Sequence, residues 1–167
     1  MFIPFDSMPG HSRLWIYQAN RTLTANDKEH LLPGLRDLCE DWSAHGIPLH
    51  TSFTLQFDLF VILAVDEQQQ GASGCSIDGS VRYLKSVQSQ LGLDFFDRTQ
   101  TAFLVDGKIT LYPIRELKTL FENNTLSEVS IAFNNAISIK SEWETHWKVP
   151  AKNSWLKRYL PQTPVAG

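Results

Sequence analysis

The residues best placed to do chemistry fall in one short stretch, Gly71-Ala72-Ser73-Gly74-Cys75-Ser76-Ile77-Asp78, which follows the apolar run from Leu59 to Val65. The order reads as a buried strand, a small-residue loop and a helix start. Unpaired N–H groups in such a loop, together with the positive end of the helix, can hold an anion. Ser73, Gly74, Cys75 and Ser76 would then be ligand-binding residues, with the Arg13 guanidinium adding paired donors for a carboxylate or phosphate. Cys75, just ahead of the helix, would be favoured as a thiolate nucleophile. Asp78 would be the general base. Each residue also has a plain structural role. Cys75 can be a small packing residue, Asp78 a complement to the helix dipole and Arg13 a solvated strand end. No histidine partner for Cys75 is evident in the sequence, so the structural roles are the expectation and the catalytic residues are left unassigned.

The elements that must position these residues are legible in the hydrophobic pattern. Arg13 to Ala19 carries aromatic and β-branched residues on both faces, as an interior strand does. Asn26 and Glu29 have capping-box spacing, and Leu31, Leu35, Leu38 and Trp42 form a helical stripe stopped by Gly46 and Pro48. Pro33 suggests that the regular part of this helix begins only there. From His50 to Phe57 the pattern alternates, Asp58 marks a turn, and Leu59 to Val65 returns as a more buried strand. Ile77, Val81, Leu84, Val87 and Leu91 form a second helical stripe with Ser76 as its N-cap and Gly92 at its end. Asp106-Gly107 between two apolar runs predicts a tight hairpin. Beyond Pro113 the expectation is a short helix, a strand over Val129 to Phe133, a turn at Asn134-Asn135, and a helix carrying both Trp143 and Trp147.

The order strand, helix, strand, strand, helix, strand matches the split-βαβ, ferredoxin-like motif, an antiparallel sheet with helices on one face. The expectation is one α+β domain over residues 1–167, with a core over 12–113 and a C-terminal extension over 114–167. The opposite sheet face would need cover from the segment after Pro113 or from a second subunit, which points to a homodimer.

Composition narrows the function classes. The chain has 167 residues, 43% of them hydrophobic, and its 18 acidic and 15 basic residues give a net charge of -3. That balance disfavours an extended phosphate-binding surface, so nucleic acid is not the expected partner. The longest apolar run falls far short of the ~20 residues a membrane span needs. The first residues lack the basic start of a secretory signal, and a cytoplasmic location is expected. Neither Cys39 and Cys75 nor the five histidines, His11, His30, His45, His50 and His146, show metal-ligand spacing. No metal and no cofactor is expected.

Residues 72–78, the Phe133-Asn134-Asn135 triplet and Trp147-Lys148-Val149-Pro150-Ala151-Lys152-Asn153-Ser154-Trp155 together resemble an uncharacterised bacterial family often labelled ABC transporter ATPase. The resemblance spans Arg13 to Leu160 and implies no particular reaction. The label fails on chemistry: an ATP-binding loop needs a lysine and a magnesium-binding hydroxyl after its glycines. Here no lysine follows Gly74, Arg82 comes too late, and no Leu-Ser-Gly-Gly-Gln signature occurs.

With no complete catalytic motif, the expected function is a non-catalytic module that binds a ligand or partner. The alternative is an enzyme acting on a small anionic metabolite through residues 71–78. A third reading has RNA stacking on Trp15 and Tyr17 of an open sheet, with Trp143, Trp147, Trp155 and the basic set Lys148, Lys152, Lys157 and Arg158 otherwise serving as structural pins and a solvated face.

Overall fold

The computed structural model describes residues 1–68 and 74–162, leaving the side chains of 74–76 aside. The α+β chain divides into two compact units, Met1–Asp97 with Asn135–Thr145, and Arg98–Asn134 with His146–Gly167. This division falls at 97/98 rather than after the expected core at 113.

The first unit begins with a short 3-10 turn and β1 (Arg13–Gln18), followed by α1 (Ala25–Asp41). The helix starts earlier than expected because Thr24 and Asp27, not Asn26 and Glu29, form the capping box. The Asp27 N–H donates to Thr24 Oγ1 (3.1 Å) and the Thr24 N–H to Asp27 Oδ2 (2.8 Å). Pro33 therefore lies inside the helix, on its exposed side. Leu31, Leu35 and Cys39, four residues apart, form the buried stripe. Two tiny strands follow, β2 (Ser43–Ala44) and β3 (Ile47–Pro48), joined through left-handed His45 and Gly46. Next come β4 (Thr51–Gln56) and β5 (Phe60–Val65), which turn on Phe57 (φ 53°) and Asp58 (φ 49°). Two successive positive φ values match the twist of a hairpin, although a bulky Phe rarely adopts one.

In this sheet β5 lies in the centre, antiparallel to both β1 and β4. The first strand is thus an edge strand, not an interior one. All six residues of β5 are 0% exposed, so the chain itself covers both of its faces. That removes the uncovered face which called for a second subunit. Part of the stretch after Pro113 belongs to this unit and runs along β1, where the Lys140 N–H donates to the Ser12 carbonyl (2.9 Å).

The second long helix, α2 (Gly74–Leu91), buries Ser80, Leu84 and Val87, and Gly92 (φ 66°) ends it as a left-handed C-terminal glycine. Ser76 is inside the helix rather than its N-cap. Tyr83 of α2 reaches α1, its hydroxyl donating to the Leu31 carbonyl (2.8 Å). This close approach requires Gly34, because a Cβ there would lie 2.7 Å from Tyr83 Cε2 and closer still to the hydroxyl. Gly34→Ala should therefore destabilise by about 1–3 kcal/mol through overpacking, despite the ~1 kcal/mol that alanine gains in a helix interior. In a Tyr83→Ala background the sign should reverse. Urea denaturation of the four proteins checks this, and a destabilising Gly34→Ala in both backgrounds would contradict it.

The second unit holds β6 (Gln100–Val105), β7 (Lys108–Pro113), α3 (Leu117–Glu122) and β8 (Ile131–Phe133). After α4 (Lys140–His146), most of which lies in the first unit, the chain returns as β9 (Lys148–Pro150) and two 3-10 turns. Asp106 (φ 51°) and Gly107 (φ 76°) make the expected tight hairpin. The sheet order is β7-β6-β8-β9. The strand expected to complete the ferredoxin-like sheet beside β1 therefore pairs elsewhere. The Asp-Gly turn ties β6 to β7, and β8 takes its other edge. The expected helix with both tryptophans ends at His146, because the residues after Trp147 pair with β8. The core of this unit gathers Phe103, Leu117, Phe121, Leu126, Ala132, Ala151 and Leu156.

Among the described residues, no helix is long and apolar enough to cross a membrane.

Candidate functional site

The N-terminal end of β1 meets the C-terminal end of β5, because the register pairs Arg13 with Val65. The polar residues flanking both strands therefore converge. His11 Nε2 lies 2.9 Å from Asp66 Oδ1, and the Asp66 side chain is only 9% exposed. Burial pushes the Asp66 carboxyl up, but the His11 hydrogen bond, the Gln68 N–H (3.1 Å) and the nearby charges of His11 and His50 outweigh it and hold the group below the ordinary carboxylate range. A histidine oriented by a buried carboxylate keeps its second ring nitrogen available for proton transfer. Next to this pair, Arg13 Nη1 lies 3.3 Å from Glu67 Oε1, and its guanidinium sits 4.9 Å from the centre of the Trp15 ring. Both partners are substantially exposed, and such a surface pair is worth ~0–1 kcal/mol, so an incoming anion would compete with Glu67 at little cost.

Along the outer edge of β1 the backbone opens into a cavity. The Leu14 N–H donates to the Ser138 carbonyl (2.8 Å), and Arg13 makes a single antiparallel bridge with Ile139. From there the segment separates from β1, and the far end is closed where Asn135 Nδ2 donates to Gln18 Oε1 (3.2 Å). Between these two contacts lies a space of about 250 Å³, lined by residues 13–17 and 135–138. Residues two apart on a strand present their backbone groups to the same edge, so the outward Leu14 N–H places the Ile16 N–H and carbonyl outward as well. Among the described residues no hydrogen bond joins Ile16 to the 135–138 segment. The cavity thus offers a backbone donor and acceptor in its middle and a guanidinium at one end.

Of the expected site residues, Arg13 lines this cavity. Ser73 lies outside the described residues, as do the side chains of Cys75 and Ser76, while Gly74 opens α2. Asp78 is exposed in the first turns of α2. Cys39 is buried, and that burial pushes its thiol up to about 11, which makes it a poor nucleophile. Trp15 and Tyr17 do not form an open stacking platform. The Trp15 ring packs 6.1 Å from Trp42, and the Tyr17 hydroxyl bonds Ser80 and is pushed up in pKa chiefly by burial. Trp143 meets Phe5 edge-on at 5.3 Å, Trp147 packs 4.7 Å from Phe133, and Trp155 is exposed. No group of three or more metal-ligating side chains occurs among the described residues.

Sequence reasoning missed the His11–Asp66 pair and the 135–138 wall. The one available signal for the first was a histidine just before β1 and an aspartate just after the return strand.

No family model, curated protein or solved structure matches the chain.

Proposed function

We propose that this chain is a non-catalytic module that binds a small anionic ligand in the cavity along the outer edge of β1. The observation that carries the reading is the opening of the backbone ladder beyond Leu14, which leaves Ile16 facing a lined space with Arg13 at its end. A carboxylate or phosphate would accept from the Ile16 N–H and from Arg13, and its apolar part would rest against the walls. The first unit fits a split-βαβ core of ferredoxin-like type whose fourth position, beside β1, is occupied only at Ser138 to Lys140. The vacant remainder of that position is the binding cavity. One chain suffices for this site, so a homodimer is not required by it. A cytoplasmic metabolite is the fitting class of ligand.

A thermal-shift screen of phosphate- and carboxylate-bearing metabolites tests the reading, with Arg13→Ala and Ala136→Trp alongside the wild type. A ligand at about 100 times its dissociation constant should stabilise by ~2.7 kcal/mol. That gain should fall in Arg13→Ala and vanish in Ala136→Trp, where the indole fills the cavity. Undiminished shifts in both variants, or no shift with any compound, would overturn the reading.

The His11–Asp66 pair favours a second reading, an enzyme acting on an anionic metabolite with His11 as general base and Cys75 or Asp78 assisting. Turnover that disappears in His11→Gln and Asp66→Asn, with unchanged melting, would replace the first reading by this one.

A further inference from the structure

The net charge of -3 conceals an uneven division. The first unit carries seven basic and fourteen acidic residues, a net of -7, whereas the second carries eight basic and four acidic residues, a net of +4. Within the second unit the basic residues concentrate at the C-terminal end. Residues 145–162 contain Lys148, Lys152, Lys157 and Arg158 and no carboxylate side chain. All four cations are exposed. Among the described residues, Lys152, Lys157 and Arg158 enter no salt bridge.

Aromatic rings accompany these cations. Trp155 is 42% exposed, a large apolar surface for a residue whose neighbours Ala151 and Leu156 are fully buried in the core of the unit. It meets Tyr159 edge-on at 6.1 Å, and the Arg158 guanidinium lies 5.6 Å from the Tyr159 ring. The segment is held rigidly. The Ala151 N–H donates to the Ser130 carbonyl (2.8 Å), the Lys152 N–H to the Glu128 carbonyl (2.9 Å), and Ser154 Oγ caps the turn at the Leu156 N–H (3.1 Å). An exposed indole edge-on to Tyr159, with Arg158 beside that ring and Lys152 and Lys157 three and two residues from Trp155 along the chain, suits a ligand that alternates flat rings with negative charges.

We propose that the surface formed by Lys152, Trp155, Lys157, Arg158 and Tyr159 binds single-stranded nucleic acid. One base stacks on Trp155, and the cations contact the flanking phosphates. An acidic protein segment would satisfy the cations but leaves the exposed indole without a partner, which is why a nucleic acid fits better.

Fluorescence anisotropy of a labelled oligouridylate of about a dozen nucleotides tests this, since such a length covers one site. Binding should weaken as salt rises. Replacing Lys152, Lys157 and Arg158 together by alanine should reduce the slope of log K against log salt by about 2, as three phosphate contacts on a single strand predict. Trp155→Ala should weaken binding by roughly 5- to 150-fold, and Trp155→Phe should recover most of it, because stacking needs a ring and not a particular one. Circular dichroism confirms that these surface variants remain folded. Absence of binding at low salt would overturn the proposal. So would binding that Trp155→Ala leaves unchanged or that polyglutamate displaces as readily as the oligonucleotide, since either marks a generic polyanion or an acidic protein as the partner.

Discussion

Asp27→Ala is expected to lower the stability of the folded chain by about 2–4 kcal/mol, between the loss of a helix cap alone (~0.5–2) and of a fully buried ion pair (~3–5). The Asp27 side chain is 4% exposed, with one carboxylate oxygen accepting from Arg21 Nη1 (2.6 Å) and the Thr24 N–H (2.8 Å) and the other from Arg21 Nη2 (3.3 Å). Arg21 also donates to the carbonyl of Leu91, the last residue of α2 (2.9 Å), so one carboxylate joins the start of one helix to the end of the other. Because Arg21 remains 40% exposed, water partly compensates it when Asp27 is lost, and the cost stays below the buried-pair limit.

The same group sets an acid dependence. The Arg21 hydrogen bond, opposed by burial and aided by Thr24, holds the Asp27 carboxyl down at about 2. A depressed folded-state pKa contributes stability that is fully present above the unfolded value near ~4 and is lost as pH falls through the folded value. Urea midpoints of the wild type should drop between about pH 4 and pH 2 by an amount corresponding to ~2 kcal/mol from this residue, and Asp27→Asn should lack that component. Parallel profiles for the two proteins would contradict the assignment.

Phe103→Ala is the second large effect, with an expected cost of about 3–5 kcal/mol. Phe103 is fully buried and packs edge-on against Tyr112 (6.0 Å) and Phe121 (6.4 Å), at the centre of the cluster that α3, β8 and the last 3-10 turns share. Among the described residues, only Leu117, Phe121, Leu126 and Leu156 join it as large buried side chains of this cluster, and at ~0.05–0.15 kcal/mol per residue a unit of this size has little stability to spare. Amide exchange should accelerate throughout β6 to β9. Protection that persists in β8 and β9 would show that the cluster does not hold these strands.

Local chemistry made the helices and hairpins legible. The Leu31 and Leu35 stripe, the Gly92 stop and the Asp106-Gly107 turn depend on neighbours a few residues away, and the structure bears them out. The capping box forms at Thr24 and Asp27 rather than at the expected Asn26 and Glu29, and Arg21, six residues before Asp27, adds a bidentate contact to its carboxylate. Strand partnership was harder to read. The element order suits a fourth strand beside β1, but β6 is claimed on both edges by β7 and β8, and the β8 pairing spans a separation that no periodicity reports. The candidate site followed the same division. Arg13 was visible as a cation at a strand end. His11 and Asp66, 55 positions apart, meet only through the β1 and β5 register, and the wall at 135–138 is set beside β1 by bonds of still longer range, Leu14 to Ser138 and Asn135 to Gln18. The loop at 71–73 lies outside the described residues.

Backbone amide chemical-shift mapping locates the small anion proposed to bind at the open edge of β1. Titration of labelled protein with the best-stabilising phosphate or carboxylate metabolite from the thermal screen, and with inorganic phosphate as the minimal probe, should perturb the amides of Ile16 and of residues 135–138 first and most. Perturbations that cluster elsewhere while Ile16 stays still would rule out an anion site at this edge.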